Sequence, residues 1–148
     1  MSINLKSLIS VFNAEWIGSD TDIFVDHISI DSRSLQNGAK TLFIALSGAN
    51  NDAHLYISEL IEKGVQNFVV QYIPENVKGK ANFLIVKNTL KAFHEFAAYY
   101  RNLFDFPVIG LTGSNGKTIV KEWLNFLLSP DFNIIRSPKS YNSQVGVP

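Results

Sequence analysis

The sequence predicts an α/β fold: a small N-terminal α/β domain over residues 1–86, then the beginning of a parallel-sheet domain over residues 87–148. Three observations predict it. Compact apolar runs alternate with amphipathic stretches, and strand, helix, strand over about 30 residues between Leu42 and Tyr72 has the spacing of a right-handed parallel crossover. A glycine-rich turn, Thr112-Gly113-Ser114-Asn115-Gly116-Lys117-Thr118, sits between an apolar run and an amphipathic stretch. Apolar residues make up 46% of the 148 and charged residues 18%, a composition that folds rather than stays disordered.

The elements follow in order. Leu5, Leu8, Ile9 and Phe12 fall at i, i+3, i+4 and i+7, a short helix with one apolar face. Ile23 to Ile30 alternates loosely and reads as a strand. Leu42 to Leu46, bounded by Gly38 and Gly48, reads as a buried strand. Leu55 to Lys63 is helical in pattern, with Gly64 in the position that ends helices. Phe68 to Tyr72 and Phe83 to Val86 read as strands around a polar turn from Pro74 to Lys80. Thr89 to Phe104 reads as a longer helix whose aromatic face packs against a second domain, and the boundary is set near residue 87. Asp105-Phe106-Pro107 breaks that helix. Val108 to Leu111 and Asn133 to Arg136 are candidate strands on either side of a helix from Ile119 to Leu128. With about 60 residues left, that second domain reads as unfinished, because a two-stranded sheet does not bury itself. The chain is therefore expected to be a piece of a longer protein.

The turn carries the chemistry. Strand, glycine-rich turn, Lys-Thr and helix form the layout of a phosphate-cradling loop. Its backbone N–H groups and the positive end of the following helix suit a polyphosphate. Lys117 supplies a point charge for the phosphates, and the Thr118 hydroxyl is placed to hold Mg²⁺. The loop departs from the full pattern at Leu111, where a glycine is usual. Asp31-Ser32-Arg33 follows a strand and reads as a turn with an Asp cap and a surface arginine. Asp52 reads as a helix N-cap, and His54 as either a first-turn helix residue or a ligand contact.

Composition narrows the partners. Formal net charge is zero, so no overall field favours nucleic acid or an acidic membrane. No run of 18 apolar residues spans a bilayer, and the N-terminus does not read as a secretory signal. Cytoplasmic residence is the default. Cysteine is absent, which excludes disulfides, thiolate metal sites and cysteine nucleophiles. The three histidines lack metal-ligand spacing.

Four blocks together resemble the Mur ligases. They are the Thr112–Thr118 loop followed by Val120-Lys121-Glu122; Ile30-Asp31-Ser32-Arg33 with Gly38 and Leu42–Gly48; Asp52-Ala53-His54; and Asn142-Ser143-Gln144-Val145-Gly146-Val147-Pro148. They stand in family order and at family spacing, and correspond to about the first third of a family member. Asp-Ala-His and the Lys-Glu after the loop are most similar to the members that add D-alanyl-D-alanine to UDP-N-acetylmuramoyl-tripeptide. Residues 137–144 are similar to the subset fused to an alanine racemase. Ile119 and Ser143 depart from what many relatives carry.

The resemblance implies residues 1–86 as the UDP-muramoyl-substrate domain and residues 87–148 as the start of the ATP-binding domain. It implies ATP and Mg²⁺ as cofactors, with Thr112, Gly113, Ser114, Asn115, Gly116, Lys117 and Thr118 around the nucleotide. Lys117 and Thr118 serve catalysis, and Thr118 serves the metal. Ser32, Arg33, Ala49, Asn50, Asn51, His54 and Asn142 are implied at the substrate. The implied partners are the tripeptide substrate and D-alanyl-D-alanine, and a monomer is expected. Alternatives are another Mur ligase, a folate–glutamate ligase relative, or a nucleotide-sugar binding module without catalysis.

Overall fold

The computed structural model describes residues 2–19, 22–35, 37–48, 51–137 and 143–146. The chain divides into two compact units, Met1–Leu103 and Phe104–Pro148.

The first unit is built on a five-stranded sheet. Its strands are β2 (Glu15–Ile17), β4 (His27–Ser29), β5 (Thr41–Ile44), β6 (Asn67–Val70) and β7 (Asn82–Ile85), in the order β2-β7-β6-β5-β4. Strands β4 to β7 run parallel, and β2 pairs antiparallel with β7 at the far edge. Parallel strands need crossovers, and these place helices on both faces. Helix α2 (Ile57–Glu62) lies on one face. Helices α1 (Leu5–Phe12) and α3 (Thr89–Arg101) lie on the other.

Side-chain alternation along the strands sorts the core into two clusters. Leu42, Ile44, Val69 and Leu84 pack with Leu5, Leu8, Ala92 and Phe96. Phe43, Phe68 and Phe83 pack with Ile57 and Leu60. Register places Phe43 opposite Phe68 and Phe68 opposite Phe83. The three rings form a row across the sheet, with centroids 6.2 Å and 5.6 Å apart. All three are fully buried. At the turn before β5, a Cβ on Gly38 would come within 2.6 Å of the Lys63 carbonyl oxygen, so the end of α2 packs there against bare backbone.

Several expectations change. The run from Ile23 to Ile30 is two strands. Asp26 breaks it by bonding backbone and side chain to Lys40, at 2.9 Å and 3.1 Å. The first half, β3 (Phe24–Val25), pairs with β1 (Ile3–Asn4), and the second is β4. The helix expected from Leu55 begins as a 3-10 turn, Ala53–Tyr56, and becomes α-helical at Ile57. The boundary expected near residue 87 lies after Leu103 by contact. The reason is that α3 buries Thr89, Ala92 and Phe96 within the first unit, against the cluster that includes α1.

The second unit holds one helix, α4 (Lys117–Leu128). Neither Val108–Leu111 nor Asn133–Arg136 is a strand. A strand exists only through a ladder to a neighbour, and no pairing among the described residues involves these segments. None of this unit's described residues is buried. Ile109 is 64% exposed and Ile135 is 95% exposed.

Candidate functional site

In the first unit polar groups gather along the edge strand β4, from its first residue to the turn that follows it. A cleft of about 250 Å³ lies along β4, with His27, Ser29, Asp31, Ser34 and Thr41 as its polar groups and Ile28 and Leu35 among its apolar ones. The turn after β4 is built on Asp31. Its Oδ1 accepts from the Arg33 backbone N–H at 3.0 Å, and its two oxygens accept from Arg33 Nε and Nη2, each at 2.9 Å. The Ser29 hydroxyl donates to the Asp31 carbonyl at 3.0 Å. The Arg33 side chain and backbone hydrogen bonds hold the Asp31 carboxyl down at about 2, against an ordinary 3.8.

Of the two residues expected here, Ser32 is half-buried and Arg33 is exposed. The cleft is lined by their neighbours Asp31 and Ser34. Ser29, Ser34 and Thr41 were not singled out by sequence reasoning, since isolated hydroxyl residues carry no spacing signal.

Beyond β5 the chain makes a closed turn. Ser47 bridges to Asp52, the Gly48 N–H donates to the Asn51 carbonyl at 2.8 Å, and the Ala53 N–H donates to the Leu46 carbonyl at 3.0 Å. Asn51 is exposed at this turn. Ala49, Asn50 and Asn142 lie outside the described residues.

The substrate contact expected from His54 is corrected. Its side chain is wholly buried, and both ring nitrogens are engaged. Nε2 lies 2.9 Å from the Gln71 backbone nitrogen, a donor. Nε2 therefore accepts, and the ring proton sits on Nδ1, which donates to Asp52 Oδ1 at 2.5 Å. Asp52 also accepts from the His54 backbone N–H at 3.1 Å and from the Tyr72 hydroxyl at 2.8 Å. Burial pushes the Asp52 carboxyl up, but the donors from His54 and Tyr72 outweigh it and hold it below its ordinary value. The Tyr72 ring stacks on His54 with centroids 4.4 Å apart. The expectation that Asp52 caps the following turn is met by its bond to the His54 N–H.

In the second unit the Thr112–Gly116 loop is exposed and Lys117 is half-buried. Gly113 and Gly116 have φ of 137° and 78°, a region in which side chains strain the backbone. Gly116 is the N-cap of α4 and, having no side chain, supplies no side-chain cap. Lys117 Nζ donates across the loop to the Gly113 carbonyl. The ammonium is thus held over the turn whose amides precede the helix. Further along α4, Glu122 accepts from Arg136 at 2.9 Å, and Lys121 donates to the Ser137 carbonyl at 2.8 Å.

These features define the class: an α/β protein that joins a parallel-sheet module, with a polar cleft along its edge strand, to a glycine-rich phosphate-type loop. The comparisons narrow it. No family model matches the chain. It is 36% identical over 127 residues to a UDP-N-acetylmuramoyl-tripeptide–D-alanyl-D-alanine ligase from Synechocystis sp., covering 86% of this chain and 28% of the relative. It is 36% identical over 148 residues to the ligase of the same name from Escherichia coli, covering 100% of this chain and 31% of the relative. A UDP-N-acetylmuramoyl-L-alanyl-D-glutamate–2,6-diaminopimelate ligase from Clostridioides difficile is 34% identical over 134 residues, 88% of this chain and 27% of the relative.

Among solved structures, MurF from Acinetobacter baumannii superposes with a TM-score of 0.88 at 27% identity, over 99% of this chain and 32% of that one. MurF ligase from Thermotoga maritima in complex with ADP gives 0.70 at 25%, over 82% of this chain and 27% of that one. The chain belongs to the Mur ligase family, and it spans about a third of the length of the curated relatives it matches.

Proposed function

We propose that this chain supplies the substrate-anchoring module and the nucleotide loop of an ATP-dependent ligase that joins D-alanyl-D-alanine to UDP-N-acetylmuramoyl-tripeptide. The single observation that carries the reading is the Gly113–Thr118 turn. Two left-handed glycines and a lysine folded back over the loop open a helix whose N-cap residue is glycine, in a chain similar over its whole length to ligases of that name. The geometry fits a polyphosphate. The loop is exposed, its glycine backbone leaves room for close approach, and the Lys117 ammonium bonds within it.

In this reading Thr112 to Thr118 surround the phosphates. The Lys117 ammonium exchanges the Gly113 carbonyl for a phosphate oxygen and neutralises charge as it develops. The Thr118 hydroxyl is the group of this loop that would ligate Mg²⁺. ATP supplies the phosphoryl group that activates the tripeptide carboxylate as an acyl phosphate; the dipeptide amine then attacks the carbonyl carbon and phosphate leaves as the amide forms. The first unit holds the UDP end, with the cleft beside β4, Ser32, Arg33 and the 47–52 turn as the binding surface. Residues 1–103 take the substrate role and residues 104–148 begin the nucleotide domain. The diaminopimelate-ligase relative makes a third-residue-adding ligase the second reading.

Lys117→Ala should lower ATP-dependent turnover of the complete enzyme by at least roughly tenfold, the loss expected when one charge-assisted contact to the transition state is removed. UDP should still bind. Unchanged turnover would refute the role given to Lys117. Amide formation with a diaminopimelate acceptor in place of D-alanyl-D-alanine would select the second reading.

A further inference from the structure

We infer that Lys121 and Glu122 are positioning residues for the muramoyl substrate: they fix the Arg136–Ser137 segment at one register against α4, one helical turn beyond Lys117 and Thr118; this rests on the proposed ligase reading. Two neighbouring residues of the helix bond two neighbouring residues of the chain that follows it. Lys121 Nζ donates to the Ser137 carbonyl at 2.8 Å, and Arg136 Nη1 donates to Glu122 Oε1 at 2.9 Å. Lys121 Nζ also lies 3.3 Å from Glu122 Oε1, so one carboxylate oxygen joins the two contacts.

Helical spacing sets the placement. Lys121 comes four residues after Lys117, and Glu122 four after Thr118, so each shares a face with its counterpart in the loop, about 6 Å away. No backbone ladder among the described residues involves residues 133–137, so no strand pairing sets their register. Two side-chain contacts of opposite polarity do so instead. They fix direction as well as distance, because reversing the segment would bring the Arg136 guanidinium against Lys121. The Lys121 side chain is only 16% exposed, against 44% for Glu122, so its bond is the less screened of the two.

The nucleotide has its own contacts. In the proposed reading they come from residues 112–118, and neither Lys121 nor Glu122 is among them. The chain beyond Ser137 leads to Asn142, which the resemblance implies at the substrate and which lies outside the described residues. The clamp therefore acts on the muramoyl substrate and not on ATP.

The test is steady-state kinetics of the complete enzyme, with ATP, UDP-N-acetylmuramoyl-tripeptide and D-alanyl-D-alanine varied in turn. Lys121→Met keeps the length of the side chain and removes its charge. It should raise the KM of the tripeptide substrate about tenfold, the effect of losing a hydrogen bond from a charged group, and leave the KM of ATP within about twofold. Glu122→Arg should act in the same direction by setting two cations together. Adding Arg136→Glu to it should bring that KM back to within about threefold of its starting value, as expected for residues in direct contact.

A merely structural role would lower Tm and the active fraction and leave both KM values of the remaining enzyme unmoved. An unchanged tripeptide KM in the single variants, or a double variant no better than Glu122→Arg alone, overturns the positioning role. A rise in the ATP KM of equal size overturns it too, because the pair would then serve the nucleotide. Where Glu122→Arg does not fold, Lys121→Met decides. If the unaltered enzyme forms no amide from these substrates, the ligase reading falls and takes this inference with it.

Discussion

Asp31 and Arg33 show how a three-residue pattern becomes a rigid turn. The short side chain of Asp31 reaches the backbone N–H two residues on, and the guanidinium closes over both of its oxygens. The pair is exposed, so its worth lies in geometry rather than in stability. Arg33→Ala should return the Asp31 pKa from about 2 toward its ordinary 3.8, which a carboxyl-detected NMR titration would read. Because the folded value is the depressed one, Asp31 stabilises the fold above pH 3.8. That contribution is lost as pH falls from there through about 2. In Arg33→Ala the loss over this window should shrink, the backbone N–H of residue 33 still holding the carboxyl somewhat low. The Asp31 cap was legible in Asp-Ser-Arg, because such caps are local. The engagement of His54 was not, because its partners Gln71 and Tyr72 lie a strand away.

Among elements, the strands of the parallel sheet announce themselves and the edge pieces do not. Strands β5, β6 and β7 are buried on both faces and read as unbroken apolar runs, so they were found close to their limits. β2 is three residues long and half polar, and exists through pairing with β7. Phe68 sits at the centre of the ring row. Phe68→Ala should cost about 3–5 kcal/mol in urea unfolding, the usual result of emptying an aromatic site in a packed core.

The start of α3 offers a milder test. The Asn88 side chain accepts from the Lys91 N–H at 2.8 Å, and Asn88→Ala should cost about 1 kcal/mol by the same measurement. The second unit's apolar runs fail as strands for the converse reason. Val108–Leu111 has β-type composition, but a ladder needs a second strand, and none among the described residues pairs with it.

At the scale of the whole molecule the two units differ in what holds them. The first has a double-faced core around a five-stranded sheet, and the second has no buried residue among those described. Hydrogen exchange follows burial and cooperative contact. Amides of β5, β6 and β7 should therefore exchange slowest, and those of α4 orders of magnitude faster. Equal protection in the two units would contradict this division. α3 was expected to open the second unit because its aromatic face is too apolar for solvent. That reasoning was sound about burial and wrong about the partner, which is α1 and its core cluster.

By itself the sequence determined the α/β class, the parallel core strands, the Asp31 and Asp52 caps and the Gly113–Thr118 turn. Each of these is written in residues a few positions apart, where periodicity, capping and glycine conformation act. Tertiary structure alone decided that His54 faces inward, that Asp26 splits one apparent strand into two, and that α3 belongs to the first unit. Those outcomes depend on which distant backbone donor or apolar face lies opposite, and a linear pattern holds no record of what the fold sets across from it.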